Sequence, residues 1–325
     1  MTSYHFRTIR ELENIGEVSL QTGPFGTQLK ASDYVDEGVP VINVRNIGFG
    51  DVRKEDLEYL NEAKAEKLYQ HYLQKGDIVF GRKGAVERHA LIDETVEGWI
   101  QGSDCLRLRI KSQDVSERYL SHYLKTKTHQ DWMQALCSFG ATMSSLNQEI
   151  VRRISFPALP IEVQKKIAAI LSAYDDLIEN NRRRIALLEK MAEEIYREWF
   201  VRMRFPGHEE VKKIKGVPKG WKLSCLGNVA KFTMGQSPSS EFYNEAGDGL
   251  PFHQGVGTYG ERFPRTVTYC SEAGRRANKG DILFSVRAPV GRLNIADREI
   301  IIGRGLAAIR HKKEQNSYLY SLLSG

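Results

Sequence analysis

"KGDIVF" occupies Lys75–Phe80, and "KGDILF" returns at Lys279–Phe284, 204 positions later. Gly-Asp is a turn signal, and the apolar trio after it is a short strand with no polar face. Each phrase therefore reads as a turn feeding a buried strand. One such match is ordinary, but further phrases align in the same order on either side of it. "ENIGEV" (Glu13–Val18) matches "SCLGNV" (Ser224–Val229), and "GVPVINV" (Gly38–Val44) matches "GLPFHQG" (Gly249–Gly255), both at a separation of 211. "YLSHYL" (Tyr119–Leu124) matches "YLYSLL" (Tyr318–Leu323) at 199. Order is kept while the separation shrinks by 12, as two divergent copies of one domain with different loop lengths require. A period of about 200 residues excludes a solenoid, whose units repeat every ~20–50.

Each copy reads as mixed α/β. "GVPVINVRNI" (Gly38–Ile47) predicts a strand with Pro40 at the strand edge, where its missing N–H costs least. "NEAKAEKLYQHYL" (Asn61–Leu73) and "SERYLSHYLKTKTHQDWMQAL" (Ser116–Leu136) carry helical spacing of apolar residues. Between the copies, the run from Ile161 to about Met203 contains no Pro or Gly. Ile167, Leu171, Tyr174, Ile178, Asn181, Ile185, Leu188, Ala192, Ile195 and Trp199 alternate at steps of 4 and 3, a heptad seam. Asn181 is a polar residue on that seam, able to fix register. The fold class expected is α+β, with two similar mixed α/β domains joined by a long coiled-coil helix. The expected boundaries are a first domain at 1–159, the helix at 160–204, a linker at 205–220 and a second domain at 221–325.

Composition narrows the function. The 325 residues are 41% hydrophobic and 27% charged, with no run approaching a membrane span and no secretory leader pattern, so a cytoplasmic protein is expected. Cys105, Cys137, Cys225 and Cys270 are scattered without metal-ligand spacing; neither a metal nor a cofactor is expected. The net charge of +6 lies in the middle and second half, since residues 1–160 hold 20 basic and 22 acidic groups. There is no GxxxxGK[ST] loop, no Gly-rich fingerprint after a strand, and no Asn/Asp-Pro-Pro-Tyr to hold a target adenine. Asp77 and Asp281 could be nuclease carboxylates, but Gly-Asp before a strand is more simply a turn.

Several phrases resemble the specificity subunits of type I restriction–modification systems. They are "GPFGTQLKASDYVDEGVPVINVRNI" (Gly23–Ile47), the two KGD phrases, "FGATMSSLNQEIVRRISFPALPIEVQKKIAAIL" (Phe139–Leu171), "NNRRRIALLEKMAEEIYREWF" (Asn180–Phe200) and "VPKGWKLSCLGNVA" (Val217–Ala230). The resemblance implies two target-recognition domains, each reading half of a bipartite site on double-stranded DNA. It implies a helical region that acts as ruler and docks modification (methyltransferase) subunits, and through them restriction subunits. It also implies no catalysis by the subunit itself. A full member carries a second long helix after its second domain. Against that pattern the second domain here is expected to be incomplete, and the bare seam is expected to be covered by that truncated domain, by a partner subunit or, in a homodimer, by the same seam of another copy.

Bases are read by Arg, Lys, Asn and Gln, and phosphates by Arg, Lys and backbone N–H groups. The loop positions that qualify in the first domain are Thr27, Gln28, Lys30, Asn43, Arg45, Asn46, Arg82, Lys83 and Arg88. In the second they are Gln236, Ser237, His253, Gln254, Arg287 and Arg292. Two other readings compete. One is a truncated or silent-cassette product acting only as a coiled-coil interaction protein. The other is a remnant of a fused methyltransferase–specificity enzyme, disfavoured because Met1 leads straight into a recognition domain.

Overall fold

A computed structural model describes residues 5–138 and 145–324; the opening of the phrase that begins at Phe139 lies outside them. The chain divides into two compact units, Met1–Asn180 and Asn181–Gly325. In the first, a five-stranded sheet runs Val18–Thr22, Cys105–Ile110, Ile78–Gly81, His89–Leu91, Phe49–Gly50 in spatial order. A four-stranded sheet runs Tyr34–Val35, Glu58–Leu60, Val39–Ile42, Ile100–Gln101. The second unit repeats both. Ala230–Met234, Leu306–His311, Ile282–Ser285 and Leu293–Ile295 form one sheet in the same order. Tyr243–Asn244, Thr268–Cys270, Leu250–His253 and Ile300–Ile302 begin the other, with Arg276–Ala277 added at its edge. Even the parallel pairing recurs: Ile42 lies opposite Gln101 and His253 opposite Ile302. The duplication is thus present in topology and register as well as in sequence.

The repeated phrase has a structural cause. Gly76 and Gly280 turn the chain at φ +89° and +83°, a region that favours glycine. Their N–H groups donate to Ile92 O (2.9 Å) and Ala296 O (2.8 Å). The following Asp accepts from the backbone N–H three residues earlier, Gln74 to Asp77 at 2.8 Å and Asn278 to Asp281 at 2.7 Å. Each carboxylate also holds an arginine from the adjacent long strand. Arg109 donates Nε and Nη2 to Asp77, both at 2.7 Å, and Arg310 Nε donates to Asp281. A buried Asp tolerates its charge only when so paired. Asp77 and Asp281 therefore close the turn and tie two strands together, as the turn reading expected.

Three expectations need correction. Pro40 does not sit in an edge strand: Val39–Ile42 lies between Glu58–Leu60 and Ile100–Gln101. It is accommodated because pairing to Ile100–Gln101 begins only at Val41, so the missing N–H leaves no gap in that ladder. The helical run from Ser116 splits into Glu117–Leu124 and Lys127–Ser138; the Thr126 hydroxyl donates back to Tyr123 O at 2.7 Å across the break. The run from Asn61 is helical only over Glu62–Lys67, followed by a 3-10 turn at Tyr69–His71.

The long helix spans Ile161–Tyr196 and continues as a π turn over Arg197–Val201. Its first turns are anchored in the first unit. Gln164 is buried, accepts from Ser116 N–H (3.0 Å) and donates to Asp114 O (2.9 Å) and Leu159 O (2.7 Å). Ala168 enters the main core beside Leu120 and Phe156, with Ile167 half-buried against it. Lys125 then reaches Asp175 at 2.7 Å. From Leu171 onward the seam is uncovered: Leu171, Tyr174, Ile178, Ile185, Leu188 and Ile195 are all exposed, Tyr174 to 63% and Leu188 to 61%. At the far end Phe200 packs on Tyr196, Trp221 and Tyr318, while Trp199 stays 39% exposed.

Candidate nucleic-acid interface

In each unit the strands that pair in parallel stop together, and the next loops crowd one lip. In the first unit Gly102 N–H donates to Ile42 O (2.9 Å), Gly23 N–H to Cys105 O (2.9 Å) and Arg82 N–H to Asp104 O (2.8 Å). The loops carrying Thr27 and Gln28, Asn43 and Arg45, Arg82 and Lys83, and Ser103 and Asp104 therefore leave from one edge. The approach is close enough to demand glycine: a Cβ at Gly23 would overlap the Gly102 carbonyl, and one at Gly102 would overlap the Asn43 side chain. The second unit repeats the lip. Gly303 N–H donates to His253 O (2.9 Å), Gly235 N–H to Leu306 O (2.9 Å) and Val286 N–H to Gly305 O (2.9 Å).

Most of the residues expected from sequence lie on these lips. Thr27, Gln28, Lys30, Arg45 and Lys83 are exposed, and Asn43, Arg82 and Arg88 are half-buried. Arg88 lays its guanidinium over the Phe49 ring at 5.3 Å. Lys30 also starts a short turn, its N–H donating to Asp33 at 2.8 Å. In the second unit Gln236, Gln254, Arg287 and Arg292 are exposed and Ser237 half-buried. Two positions are corrected. His253 is fully buried as the last residue of its strand; Nδ1 hydrogen-bonds Thr258 Oγ1 at 2.9 Å, and burial pushes its pKa down. Asn46 is also fully buried and donates to Arg53 O (3.1 Å) and Glu55 O (2.9 Å), so it shapes the loop and does not reach the surface.

The lips differ in charge. On the first, two of the cations are matched by carboxylates: Arg45 meets Glu58 at 3.1 Å, and Lys83 meets Asp104 at 3.2 Å. Glu58 also accepts from Asn43 Nδ2 at 2.6 Å. Burial raises the Tyr34 phenol above the usual range, and the nearby Asn43 side chain opposes the rise. Exposed pairs of this kind are worth about 0–1 kcal/mol, so a polyanion can take the cations over at little cost. On the second lip, Gln254, Ser285, Arg287, Arg304 and Gly305 surround a recess of about 180 Å³. Arg304, Glu58 and Asp104 were missed by sequence reading. Aligning "GSD" (Gly102–Asp104) with "GRG" (Gly303–Gly305), each just after a strand end, would have flagged Asp104 and Arg304.

Comparison with known proteins agrees with this architecture. A family model described as "Type I restriction modification DNA specificity domain" matches residues 8–190 and again 218–324. The chain belongs to that family. It is 33% identical over 325 residues to a putative type I restriction enzyme specificity subunit, MjaX, of Methanocaldococcus jannaschii, covering 97% of this chain and 75% of that one. The MjaIX specificity subunit of the same organism is 26% identical over 251 residues, covering 73% of this chain and 55% of the relative. Among solved structures, the S subunit of a type I restriction–modification system from M. genitalium superimposes with a TM-score of 0.61 at 18% identity. That alignment covers 99% of this chain and 76% of the other, a likeness of fold. Among the described residues no helix is long and apolar enough to cross a membrane, and no cluster of His, Cys, Asp and Glu could hold a metal ion.

Proposed function

We propose that this chain is the DNA-reading specificity subunit of a type I restriction–modification complex. Each unit reads one half of a bipartite duplex target with its lip, and the chain performs no catalysis itself. The observation that carries this reading is the repeated lip: the same strand ends, glycines and loop exits occur twice, with different polar side chains placed on them. A duplicated reader with divergent side chains suits a target of two unlike halves. Division into recognition domains at 1–159 and 221–325, with helix 160–204 and linker 205–220 between them, belongs to the same proposal.

The uncovered seam supports a reading of the partners. Burying each large apolar side chain is worth about 1.5–3 kcal/mol, so the face from Leu171 to Ile195 favours a protein partner. We assign it to modification subunits, which bring restriction subunits with them; in their absence the seam pairs with that of a second copy, since a two-fold arrangement is self-complementary. Selection from a randomised duplex pool, with the full chain and its cognate modification subunits, tests the proposal. Enriched sequences should share two fixed blocks separated by a constant unspecified gap. An unenriched pool would defeat it.

A further inference from the structure

The two lips occupy equivalent positions but are chemically unlike. Strand register makes the comparison residue by residue. Ile42 and His253 hold the same place in the parallel pair, so Asn43 answers to Gln254. Gly81 faces Cys105 as Ser285 faces Leu306, so Lys83 answers to Arg287, Ser103 to Arg304 and Asp104 to Gly305. Val41 faces Glu58 as Phe252 faces Thr268, so Glu58 answers to Thr268. Both carboxylates of the first lip are therefore replaced by uncharged residues in the second, while a serine becomes an arginine. Among the described residues, Arg287 and Arg304 have no ion-pair partner, and no carboxylate lines the recess between them.

The backbone that carries the two arginines is closely packed. Arg304 stands between two closely packed glycines: a Cβ at Gly305 would overlap Gln254 O, and one at Gly303 would make a tight contact 3.0 Å from Gln254 Cα. Arg304 N–H donates to Ser237 Oγ at 3.3 Å. The Arg287 loop closes on Ser285, whose hydroxyl donates to Pro289 O (2.7 Å) and accepts from Arg292 N–H (2.9 Å). A cation that only neutralises phosphate gains little from such fixing, because phosphate contacts tolerate many geometries. A guanidinium fork aimed at a flat edge with two acceptors gains much. Guanine presents that edge in the major groove, O6 beside N7, and Gln254 adds an amide able to donate and accept beside it.

We propose that Arg287 and Arg304, with Gln254, form a guanine-reading recess in the second unit that the first unit lacks. The inference rests on the DNA-reading function proposed above and assigns its base chemistry. The test is duplex-pool selection with the full chain and its modification subunits, comparing the unsubstituted chain with R287A/R304A and R287K/R304K; circular dichroism confirms that each remains folded. An unenriched pool with the unsubstituted chain would defeat the DNA-reading function itself. If that chain enriches a target, R287A/R304A should lose guanine preference at one or two positions of one block, by roughly ten- to a hundred-fold each, and leave the other block unchanged. Lysine should not restore it, since it keeps the charge and loses the fork. Affinity that falls equally for all sequences and returns with lysine would mark a phosphate contact and overturn the guanine assignment. Unchanged preference in both variants would also overturn it.

Discussion

Replacing Asp77 by Ala tests the account of why the phrase at Lys75–Phe80 is repeated. Asp77 has a side chain 1% exposed, and it takes two hydrogen bonds from Arg109 at 2.7 Å and one from Gln74 N–H at 2.8 Å. Breaking a buried pair from one side costs about 3–5 kcal/mol, because the other charge is left without its partner. Arg109 is 21% exposed and keeps a bond to Tyr72 O at 3.1 Å, so partial rehydration puts the expected loss at the low end, about 3 kcal/mol. Asp77→Asn, which keeps an acceptor for Gln74 but not the charge, should lose less. Asp281→Ala should lose about 2 kcal/mol, since Arg310 is 28% exposed and also holds Glu314 at 2.9 Å. A melt of two units would mix their transitions. Native-state hydrogen exchange separates them, by comparing protection of Ile78–Gly81 with that of Ile282–Ser285. Asp77→Ala that leaves protection of its own strand within about 1 kcal/mol would refute the reasoning.

Three further outcomes are expected. Burial holds the imidazole of His129, packed between the Tyr123 and Trp132 rings, near a pKa of about 4. Its folded pKa lies below the ordinary value of 6.5, so its contribution is intact above pH 6.5 and is lost progressively as pH falls toward 4. The full loss is about 3 kcal/mol, and in pH-dependent denaturation H129F should flatten this part of the acid slope in the first unit. Ile178→Asp with Ile185→Asp changes positions exposed to 49% and 51%, so stability of the chain alone should shift by less than about 0.5 kcal/mol. Co-purification of modification subunits, and the self-pairing proposed above, for which light scattering at micromolar concentration is the readout, should nevertheless be lost. On the first lip, Lys83→Ala should reduce the slope of log affinity against log salt by about one, measured by duplex titration at several salt concentrations.

What the sequence disclosed follows the range of the interactions involved. The Gly-Asp turn is local, so it was legible, and so was the duplication that repeats it. Arg109 and Arg310, the partners that make the aspartates necessary, lie 32 and 29 residues downstream and carry no local mark. The long helix was legible because its seam repeats without Pro or Gly to interrupt it. Its anchoring by Gln164 was not, because a polar residue in a first turn looks like a solvated one. The break after Leu124 escaped because apolar spacing continues through it while the Thr126 hydroxyl bonds backward. On the lips, residue type found Gln254 and Arg287, but it also selected His253 and Asn46. Whether a residue at a strand end faces the core or the loop side depends on register with a strand about 50 residues away, and composition cannot report that.

The charge difference between the lips bears on assembly. On the first lip Arg45 and Lys83 each face a carboxylate, which lowers the local field that those two cations offer to duplex DNA. At the matching places on the second lip, Arg287 and Arg304 stand without a carboxylate among the described residues, so their charge is free to act on a polyanion.

The central claim is that two lips on one chain choose two halves of a DNA target. Methylome sequencing tests it most directly, in cells that express this chain together with its cognate modification subunit. The account predicts one new methylated motif of two defined blocks separated by a fixed gap, absent from cells expressing the modification subunit alone. A methylome unchanged by the chain would contradict it.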